Sequence, residues 1–247
     1  MEEHRAFKEQ VYGELARVGK ALASPQRLEL LDLLAQGARS VEELASEASL
    51  SVANASRHLG LLHAARLVET RRAGLRVYYR LADPSVYALW RSLREVGAQR
   101  LAEVERLEQL MATLLATEGA DARPVSREEL RALLASGQAL ALDVRPAVEY
   151  RQGHIAGARS IPIEELERRL GELPVEMTVV AYCRGPYCFF SGEAVALLTA
   201  RGYHARRLED GFPEWRASAL PTEVTAEVTA EVAAAGASRR RAHARRL

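Results

Sequence analysis

The sequence has few cysteines and no long apolar run, and both absences limit what this protein can be. Only two cysteines occur in 247 residues, which is too few for a disulfide framework, and a reducing compartment would keep both thiols free. No stretch of about 18 uncharged apolar residues is present to cross a membrane. The N-terminus lacks the apolar segment of a signal peptide. We therefore expect a cytoplasmic protein with no membrane partner.

The composition is that of a folded globular protein with one basic region. It is 48% apolar and 27% charged, which excludes a disordered chain, and its length allows one large domain or two ordinary ones. Although the formal net charge is only +1, positive charge is concentrated in one region of the chain. Residues 51–80 contain six arginines and a single acidic residue, Glu69. Such a basic patch on a nearly neutral chain indicates a binding surface for an anionic partner.

The chain up to about residue 118 is predicted to form helices and one hairpin. Residues 5–22 have a helical pattern, and three further helices follow the N-cap residues Ser24, Ser40 and Ser51. Apolar residues then alternate in period two on either side of Ala73-Gly74, which predicts a β-hairpin. Residues 84–117 read as one long helix, because their apolar positions recur at near-heptad spacing.

Two short helices joined by a tight turn and followed by a basic hairpin predict a winged helix-turn-helix. A helix fits the major groove of DNA, and the residues at its N-terminal end reach the base edges. Asn54 and Arg57 suit bidentate base contacts, whereas Ser56 and His58 suit phosphates. The predicted DNA-binding residues are Val52, Asn54, Ala55, Ser56, Arg57 and His58 in the helix, with Arg71, Arg72 and Arg76 in the wing. The alternative is a helical bundle whose charges only solvate its surface.

This half of the chain resembles the ArsR/SmtB family of bacterial repressors. The residues that carry the resemblance are "LASPQRLELLDLL", "SVEELASEASLSVANASRHLGLLHAARLVETRRAGLRVYYRL" and the long helix after them. The resemblance implies a homodimer, built from the first and last helices and bound to a palindromic double-stranded operator. The apolar stripe over residues 90–114 independently favours a dimer core, since one small domain could not bury all of it.

Many members of that family sense metals through a cysteine pair in the helix before the recognition helix. This chain has Ala45, Ser46 and Ala48 in that segment, and its first cysteine is Cys183. Residues 86–118 contain no histidine either. We therefore expect no metal site in this half, and the regulatory signal must be sensed by another part of the chain.

After a linker at 117–126, strand-like runs alternate with helical ones, which predicts a parallel sheet with helices on both faces. The strands are expected in "ALALDV", "TVVAYC" and "HARRLE", and the helices in "SREELRALLAS", "IEELERRLGEL" and "SGEAVALLTARG". Residues 222–247, with a repeated T-A-E-V and an arginine-rich end, are expected to form a disordered basic tail.

Both cysteines lie in "YCRGPYC", where an apolar strand gives way to a helix. Zinc would need two further ligands, and a thioredoxin-type motif has two residues between its cysteines rather than four. Two interpretations remain, a pair of buried thiols and a nucleophile. Cys183 ends its strand, and ligands bind outside the carboxyl ends of parallel strands. Loop and helix N–H groups there lower the pKa of a thiol.

The second half resembles a rhodanese domain from about residue 122 to 221. Three separate motifs carry the resemblance, "ALDVRPAVEYRQGHIAGARSIPIEEL", "YCRGPYCFFSGEAVALL" and "LEDGFPEWRASALP". It implies that Cys183 accepts sulfane sulfur from thiosulfate, a polysulfide or a persulfide. The loop N–H groups of Arg184, Gly185, Tyr187 and Cys188 would then form an anion cradle. Asp143 and Arg145 would support the site, or else form a purely structural ion pair.

Cys188 stands where rhodaneses that turn over thiosulfate often have a basic residue. A second thiol there could attack a persulfide on Cys183, or it could simply pack under the next helix. Arg184 is the candidate to supply the missing charge. The sequence therefore leaves open whether the domain turns over thiosulfate rapidly, whereas sulfur capture is expected.

Taken together, the motifs predict a multidomain fold, a mainly α winged helix-turn-helix followed by an α/β rhodanese-like parallel-sheet domain. The predicted limits are 1–118 for DNA binding and dimerisation, 119–221 for the rhodanese-like domain and 222–247 for the tail. We expect a transcriptional regulator, a repressor by family, that senses reactive sulfur on Cys183 without a cofactor. The alternatives are a sulfurtransferase with an accessory DNA-binding domain, or a repressor that passes sulfur to another protein.

Overall fold

The computed structural model describes residues 1–74, 76–115 and 123–225. Its contacts divide the chain into two compact units, Met1–Val104 and Glu105–Leu247. Within the described residues, no helix is both long enough and apolar enough to cross a membrane. The proposed limits of the DNA-binding, rhodanese-like and tail segments remain predictions.

The first unit is mainly helical with a small antiparallel sheet of strand order β1-β3-β2. Its elements are α1 (Glu2–Leu22), α2 (Pro25–Gln36), β1 (Arg39–Ser40), α3 (Val41–Glu47), α4 (Val52–Ala64), β2 (Val68–Ala73), β3 (Arg76–Leu81) and α5 (Pro84–Arg100). The predicted hairpin is confirmed, since β2 and β3 pair on either side of the turn at Gly74.

Local capping and apolar burial explain why these helices form where they do. Ser40 accepts a hydrogen bond from the Glu43 N–H while the Glu43 carboxylate accepts one from the Ser40 N–H, so the capping box is complete. The Ser51 hydroxyl likewise accepts from the Asn54 N–H and begins α4. The helices bury Leu30, Leu59 and other apolar side chains in one core.

The predicted single helix over residues 84–117 is wrong, because the chain forms two helices. Leu101 adopts an extended conformation between α5 and α6 (Ala102–Leu114). Neither a proline nor a glycine lies at the break, so local propensity did not reveal it. Residues 116 and 117 lie outside the described part of the chain.

The second unit is a parallel four-stranded sheet of order β6-β4-β7-β8 with helices on both faces. After α6 its elements are α7 (Arg127–Ala135), β4 (Ala139–Asp143), α8 (Ala147–Gln152), β5 (His154–Ile155), β6 (Arg159–Ser160), α9 (Ile163–Leu166), a 3₁₀ helix (Glu167–Glu172), β7 (Thr178–Tyr182), α10 (Phe190–Ala200), β8 (Ala205–Arg207), α11 (Phe212–Ala217) and β9 (Thr222–Glu223). The predicted α/β class and its parallel sheet are confirmed.

Two apolar cores cover the two faces of this sheet. Along β7, Val180 and Tyr182 face one core, whereas Val179, Ala181 and Cys183 face the other. This alternation follows from the two-residue period of a strand. It places Cys183 on the face that α10 covers.

Residues at the C-terminal end of the predicted linker and at the start of the predicted tail are paired with the rest of the second unit. Val125 is fully buried and pairs with Leu208, so the C-terminal end of the predicted linker belongs to the fold. Thr222–Glu223 pairs with His154–Ile155 at the start of the predicted tail. These residues are held by main-chain hydrogen bonds that composition does not reveal. Residues 226–247 lie outside the described chain.

Candidate functional site

The N-terminal half of α4 presents a polar face to solvent. Val52, Ser56 and Arg57 are exposed, and Asn54 is partly exposed. The Arg57 guanidinium donates to Asn54 Oδ1 at 2.7 Å. The two side chains suited to base contacts are therefore already neighbours.

Ala55 and His58 do not belong to this exposed face, which corrects their predicted DNA contacts. Ala55 is fully buried and His58 is 9% exposed, because a helix of 3.6 residues per turn places them beside Leu59 and Leu62. Burial, with the charges of Arg57 and Arg27, lowers the pKa of His58. We infer that both residues pack α4 against the apolar core of the first unit.

The hairpin carries the predicted wing cations on its surface. Arg71 and Arg72 are exposed in β2, and Arg76 is exposed at the start of β3. Arg80, on the same hairpin, forms an ion pair with Glu69. The basic excess of the hairpin is therefore carried mainly by its outer end.

Cys183 follows directly after β7, at the carboxyl end of the sheet. It is 1% exposed, and its sulfur lies 3.4 Å from Ser191 Oγ and 3.5 Å from the carbonyl oxygen of Cys188. Both cysteines are free thiols. The Cys183 sulfur is therefore almost fully covered in this structure.

The environment of Cys183 favours its thiolate. Burial opposes ionisation, but hydrogen bonds from the Cys188 thiol, the Ser191 hydroxyl and the N–H groups of Gly185 and Ser191 outweigh it. They lower the pKa of Cys183 to about 7. Its hydrogen bond to Cys183, together with burial, raises the pKa of Cys188. Of the two thiols, Cys183 is therefore the one that ionises more readily, and Cys188 keeps its proton.

The loop N–H groups that were predicted to form an anion cradle have different partners in the structure. The Gly185 N–H donates a hydrogen bond to the Cys183 sulfur. The Cys188 N–H instead donates to the Gly185 carbonyl oxygen at 3.1 Å. The backbone N–H of Arg184 donates a hydrogen bond to the Cys188 sulfur. The Tyr187 hydroxyl donates to Glu108 Oε1 at 2.8 Å. Two donors come from Ser191, at the start of α10, where the helix dipole also favours negative charge.

Asp143 and Arg145 form a fully buried ion pair below this loop. Arg145 Nη2 lies 2.6 Å from Asp143 Oδ2 and donates to the Gly153 carbonyl at 2.8 Å. The Tyr182 hydroxyl donates to Asp143 Oδ2 at 2.7 Å. Burial opposes the charge of Arg145, but Asp143 outweighs it and raises the pKa of the guanidinium. These contacts support the structural interpretation of the pair, which positions the strand ends around the loop.

Arg184 is held by a carboxylate that the sequence analysis did not single out. Its Nε and Nη2 atoms lie 2.8 and 2.7 Å from Glu149 Oε1. Glu149 is buried and also lies 3.8 Å from Arg145 Nη1. The charge expected to replace the missing loop cation is therefore neutralised inside the protein.

Ser191 and Glu149 both lie inside the quoted rhodanese-like motifs, but the sequence analysis gave neither residue a role. Ser191 lies three residues beyond the second cysteine, and only the first turn of α10 brings it back to Cys183. Glu149 falls inside the quoted "RPAVEYRQGH" segment. Its place, one helical turn after Arg145, was the available signal.

Replacing Ser191 with alanine should raise the pKa of Cys183, because one hydroxyl donor to the thiolate disappears. We expect an increase of about one unit. The pH dependence of iodoacetamide alkylation measures it: in the wild type the rate should rise with pH through a midpoint of about 7, and the variant's midpoint should be higher. Ser136→Ala, on a surface turn, is the control. An unchanged midpoint would remove Ser191 from the site.

Comparison with known proteins agrees with both halves of this description. The profile of the bacterial regulatory protein, arsR family, matches residues 24–70, and that of the rhodanese-like domain matches residues 126–218. The chain is 42% identical over 210 residues to the HTH-type transcriptional regulator Rv0324 of Mycobacterium tuberculosis, covering 85% of this chain and 90% of that protein.

Two solved structures are similar to separate parts of the chain. One is the homodimeric winged helix-turn-helix DNA-binding domain of a possible ArsR-family regulator from Mycobacterium bovis, with 44% identity and a TM-score of 0.37 over 38% of this chain and 87% of that one. The other is a rhodanese-related protein from Thermoplasma volcanium, with 25% identity and a TM-score of 0.38 over 42% of this chain and 99% of that one.

The two profile matches contain the exposed α4 and the loop that holds Cys183. The 42% identity to a single relative covers 210 of the 247 residues, so it extends through both halves of the chain, the basic hairpin included. The chain belongs to the ArsR family of bacterial transcriptional regulators and carries a rhodanese-like domain behind its winged helix-turn-helix.

Proposed function

We propose that this regulator takes up sulfane sulfur on Cys183 and that the sulfurated form has a different affinity for its operator. The observation that carries the proposal is the pair of free thiols in one loop, of which Cys183 has a pKa of about 7 and Cys188 donates a hydrogen bond to it. A nucleophile and a second thiol within hydrogen-bonding reach can both capture sulfur and discharge it.

The chemistry needs only the sulfur donor as oxidant. The Cys183 thiolate attacks the sulfane sulfur, the donor's sulfur–sulfur bond breaks, and the leaving group departs with the electron pair, leaving a perthiolate on Cys183. The Cys188 sulfur then attacks Cys183 Sγ and expels the outer sulfur as hydrosulfide, which carries the Cys188 proton. The product is a Cys183–Cys188 disulfide, and the sulfane sulfur has been reduced to sulfide.

Within the second unit, α6 offers a route for the change to leave the loop. The Tyr187 hydroxyl donates to Glu108 of α6. Leu115, just after α6, is buried against Gly192: a Cβ at Gly192 would lie 2.5 Å from Leu115 Cδ2. One contact involves the loop and the other the residue after Ser191. A loop that closes around a disulfide therefore acts on α6 directly.

A second copy of the chain is the proposed partner of the exposed apolar faces. In α1, Phe7 and Tyr12 are each 67% exposed, and Val11 and Leu15 are also uncovered. In α5, Leu93 and Val96 are exposed as well. Apolar faces of this size on two helices favour a dimer interface. The related domain from Mycobacterium bovis is described as homodimeric.

Operator binding with and without inorganic polysulfide tests the proposal. We expect treatment to change the wild-type affinity by about 5–150-fold, the usual range of a coupling free energy. Cys183→Ser should bind the operator normally and ignore polysulfide. Intact mass then reports the chemistry, as added sulfur or the loss of two hydrogens. A wild type that takes up sulfur but keeps its affinity would contradict sensing and favour the sulfurtransferase or sulfur-delivery alternative.

Cys188→Ser separates capture from discharge. This variant should accumulate the perthiolate on Cys183, because no second thiol attacks it, and should show no loss of hydrogens. If it nevertheless switches like the wild type, the two-thiol mechanism is wrong although sulfur sensing stands. If it takes up no sulfur while its thiol still alkylates, Cys188 is needed for capture itself.

Replacing Tyr187 with phenylalanine should weaken the response without weakening sulfur uptake. The variant lacks only the hydroxyl that donates to Glu108, so the loop loses its hydrogen bond to α6. We expect the polysulfide-induced change in operator affinity to fall severalfold, because a net hydrogen bond contributes about 1 kcal/mol. Tyr203→Phe is the matched control, because it removes a tyrosine hydroxyl that donates to the Leu170 carbonyl oxygen. An unaltered response would exclude this contact as the route.

A further inference from the structure

Arg207 is a half-buried cation on the same face and at the same edge of the sheet as Cys183. It is the last residue of β8 and pairs in register with Ala181 of β7. Side chains of paired residues leave a sheet on the same face, and residues two apart along a strand do so too. Ala181 and Cys183 both belong to the core under α10, and Ala205 packs against it. Arg207 therefore shares this face with the thiol.

The other cations around the loop are already neutralised. Arg145 is paired with Asp143, and Arg184 is paired with Glu149. Within residues 1–74, 76–115 and 123–225, the Arg207 guanidinium makes no hydrogen bond or ion pair. Burial lowers the pKa of Arg207, and the charges of the Cys183 thiolate and Glu209 offset part of this effect. Arg207 is thus the cation near the thiol that keeps a free charge.

We propose that Arg207 selects anionic sulfur donors by holding their charge beside Cys183. The proposal rests on the sulfur uptake proposed above. A thiolate repels an approaching anion, and this repulsion grows as water is excluded. A cation on the same face offsets it, which favours thiosulfate, polysulfide and persulfide anions over neutral sulfanes. It takes the place of the basic side chain that is absent at Cys188.

The rates of alkylation by iodoacetate and by iodoacetamide measure this charge. The two reagents differ in charge, whereas a change in the pKa of Cys183 affects both rates alike, so their ratio reports the local field. Tryptic cleavage after Arg184 separates the two cysteines, so that label on Cys183 is scored alone. We expect Arg207→Gln to lower the iodoacetate-to-iodoacetamide ratio by about tenfold. Arg207→Lys should retain most of the wild-type ratio.

Arg206→Gln is the matched control. Arg206 is the neighbouring residue of β8 but pairs with Glu129 at 2.7 Å, on the face that α7 covers. The Arg206→Gln variant should leave the iodoacetate-to-iodoacetamide ratio unchanged. Sulfur uptake gives a second readout: Arg207→Gln should slow uptake from thiosulfate but not from neutral dimethyl trisulfide.

The outcomes separate the two proposals. If Cys183 alkylates at neutral pH but Arg207→Gln keeps the wild-type ratio, the role of Arg207 is overturned and sulfur capture stands. If Cys183 reacts with neither reagent in the wild type, the proposed function fails first. A ratio that falls equally in Arg206→Gln and Arg207→Gln would indicate a diffuse field rather than a donor-binding residue, and it too would overturn the inference.

Discussion

Asp143→Asn should lower the free energy of unfolding of the second unit by about 3 kcal/mol or more. The substitution leaves the Arg145 guanidinium fully buried without its carboxylate. Glu149 cannot take over, because it is 3.8 Å from Arg145 and already binds Arg184. Tyr182 also loses the carboxylate that accepts its hydroxyl proton.

Urea unfolding followed by tryptophan fluorescence checks this prediction. The chain has two tryptophans, so a Trp90→Phe background leaves Trp215, which is buried in the second unit, as the reporter. Glu172→Gln is the matched control, because Glu172 binds Arg169 on the surface. That exposed pair should contribute at most about 1 kcal/mol.

A double variant distinguishes a structural role from a chemical one. Replacing Asp143 by asparagine and Arg145 by methionine together removes both charges, so stability should partly return. If the folded double variant still alkylates at Cys183 with a midpoint near the wild-type value, the pair is structural. A stable double variant whose Cys183 no longer ionises near neutral pH would instead place these charges in the chemistry.

Arg57→Ala should weaken operator binding by about 5–150-fold and reduce discrimination between the operator and other sequences. Arg57 is exposed on α4 beside Asn54, where a bidentate contact to a base edge is worth about 1–3 kcal/mol. Fluorescence anisotropy with an operator duplex and a scrambled duplex measures both quantities.

Arg72→Ala supplies the contrast, because the exposed wing is suited to phosphate rather than base contacts. It should weaken binding to both duplexes about equally and reduce the slope of log affinity against log salt by about one. Identical behaviour of the two variants would show that Arg57 also contacts only the backbone. His58→Ala should act through stability, since His58 is buried.

Much of the architecture could be predicted because it depends on short-range signals. The capping serines at 40 and 51, the turn at Ala73-Gly74 and the two-residue period of β7 are local, and each was confirmed. The pairing of Thr222–Glu223 depends on a strand about 70 residues away, and Leu101 ends α5 in an extended conformation without a proline or glycine at the break. No local pattern distinguishes them.

The order of residues along the chain by itself determined the two halves, the parallel sheet and the place of Cys183 at a strand end. Periodicity and the backbone preferences of individual residue types are sufficient for that. Only the tertiary structure decided which groups act on the thiol: Ser191 rather than most of the predicted loop N–H groups, and Glu149 as the partner that neutralises Arg184. Electrostatic and hydrogen-bond energies depend on distances of a few ångströms between side chains far apart in sequence, and folding alone sets those distances.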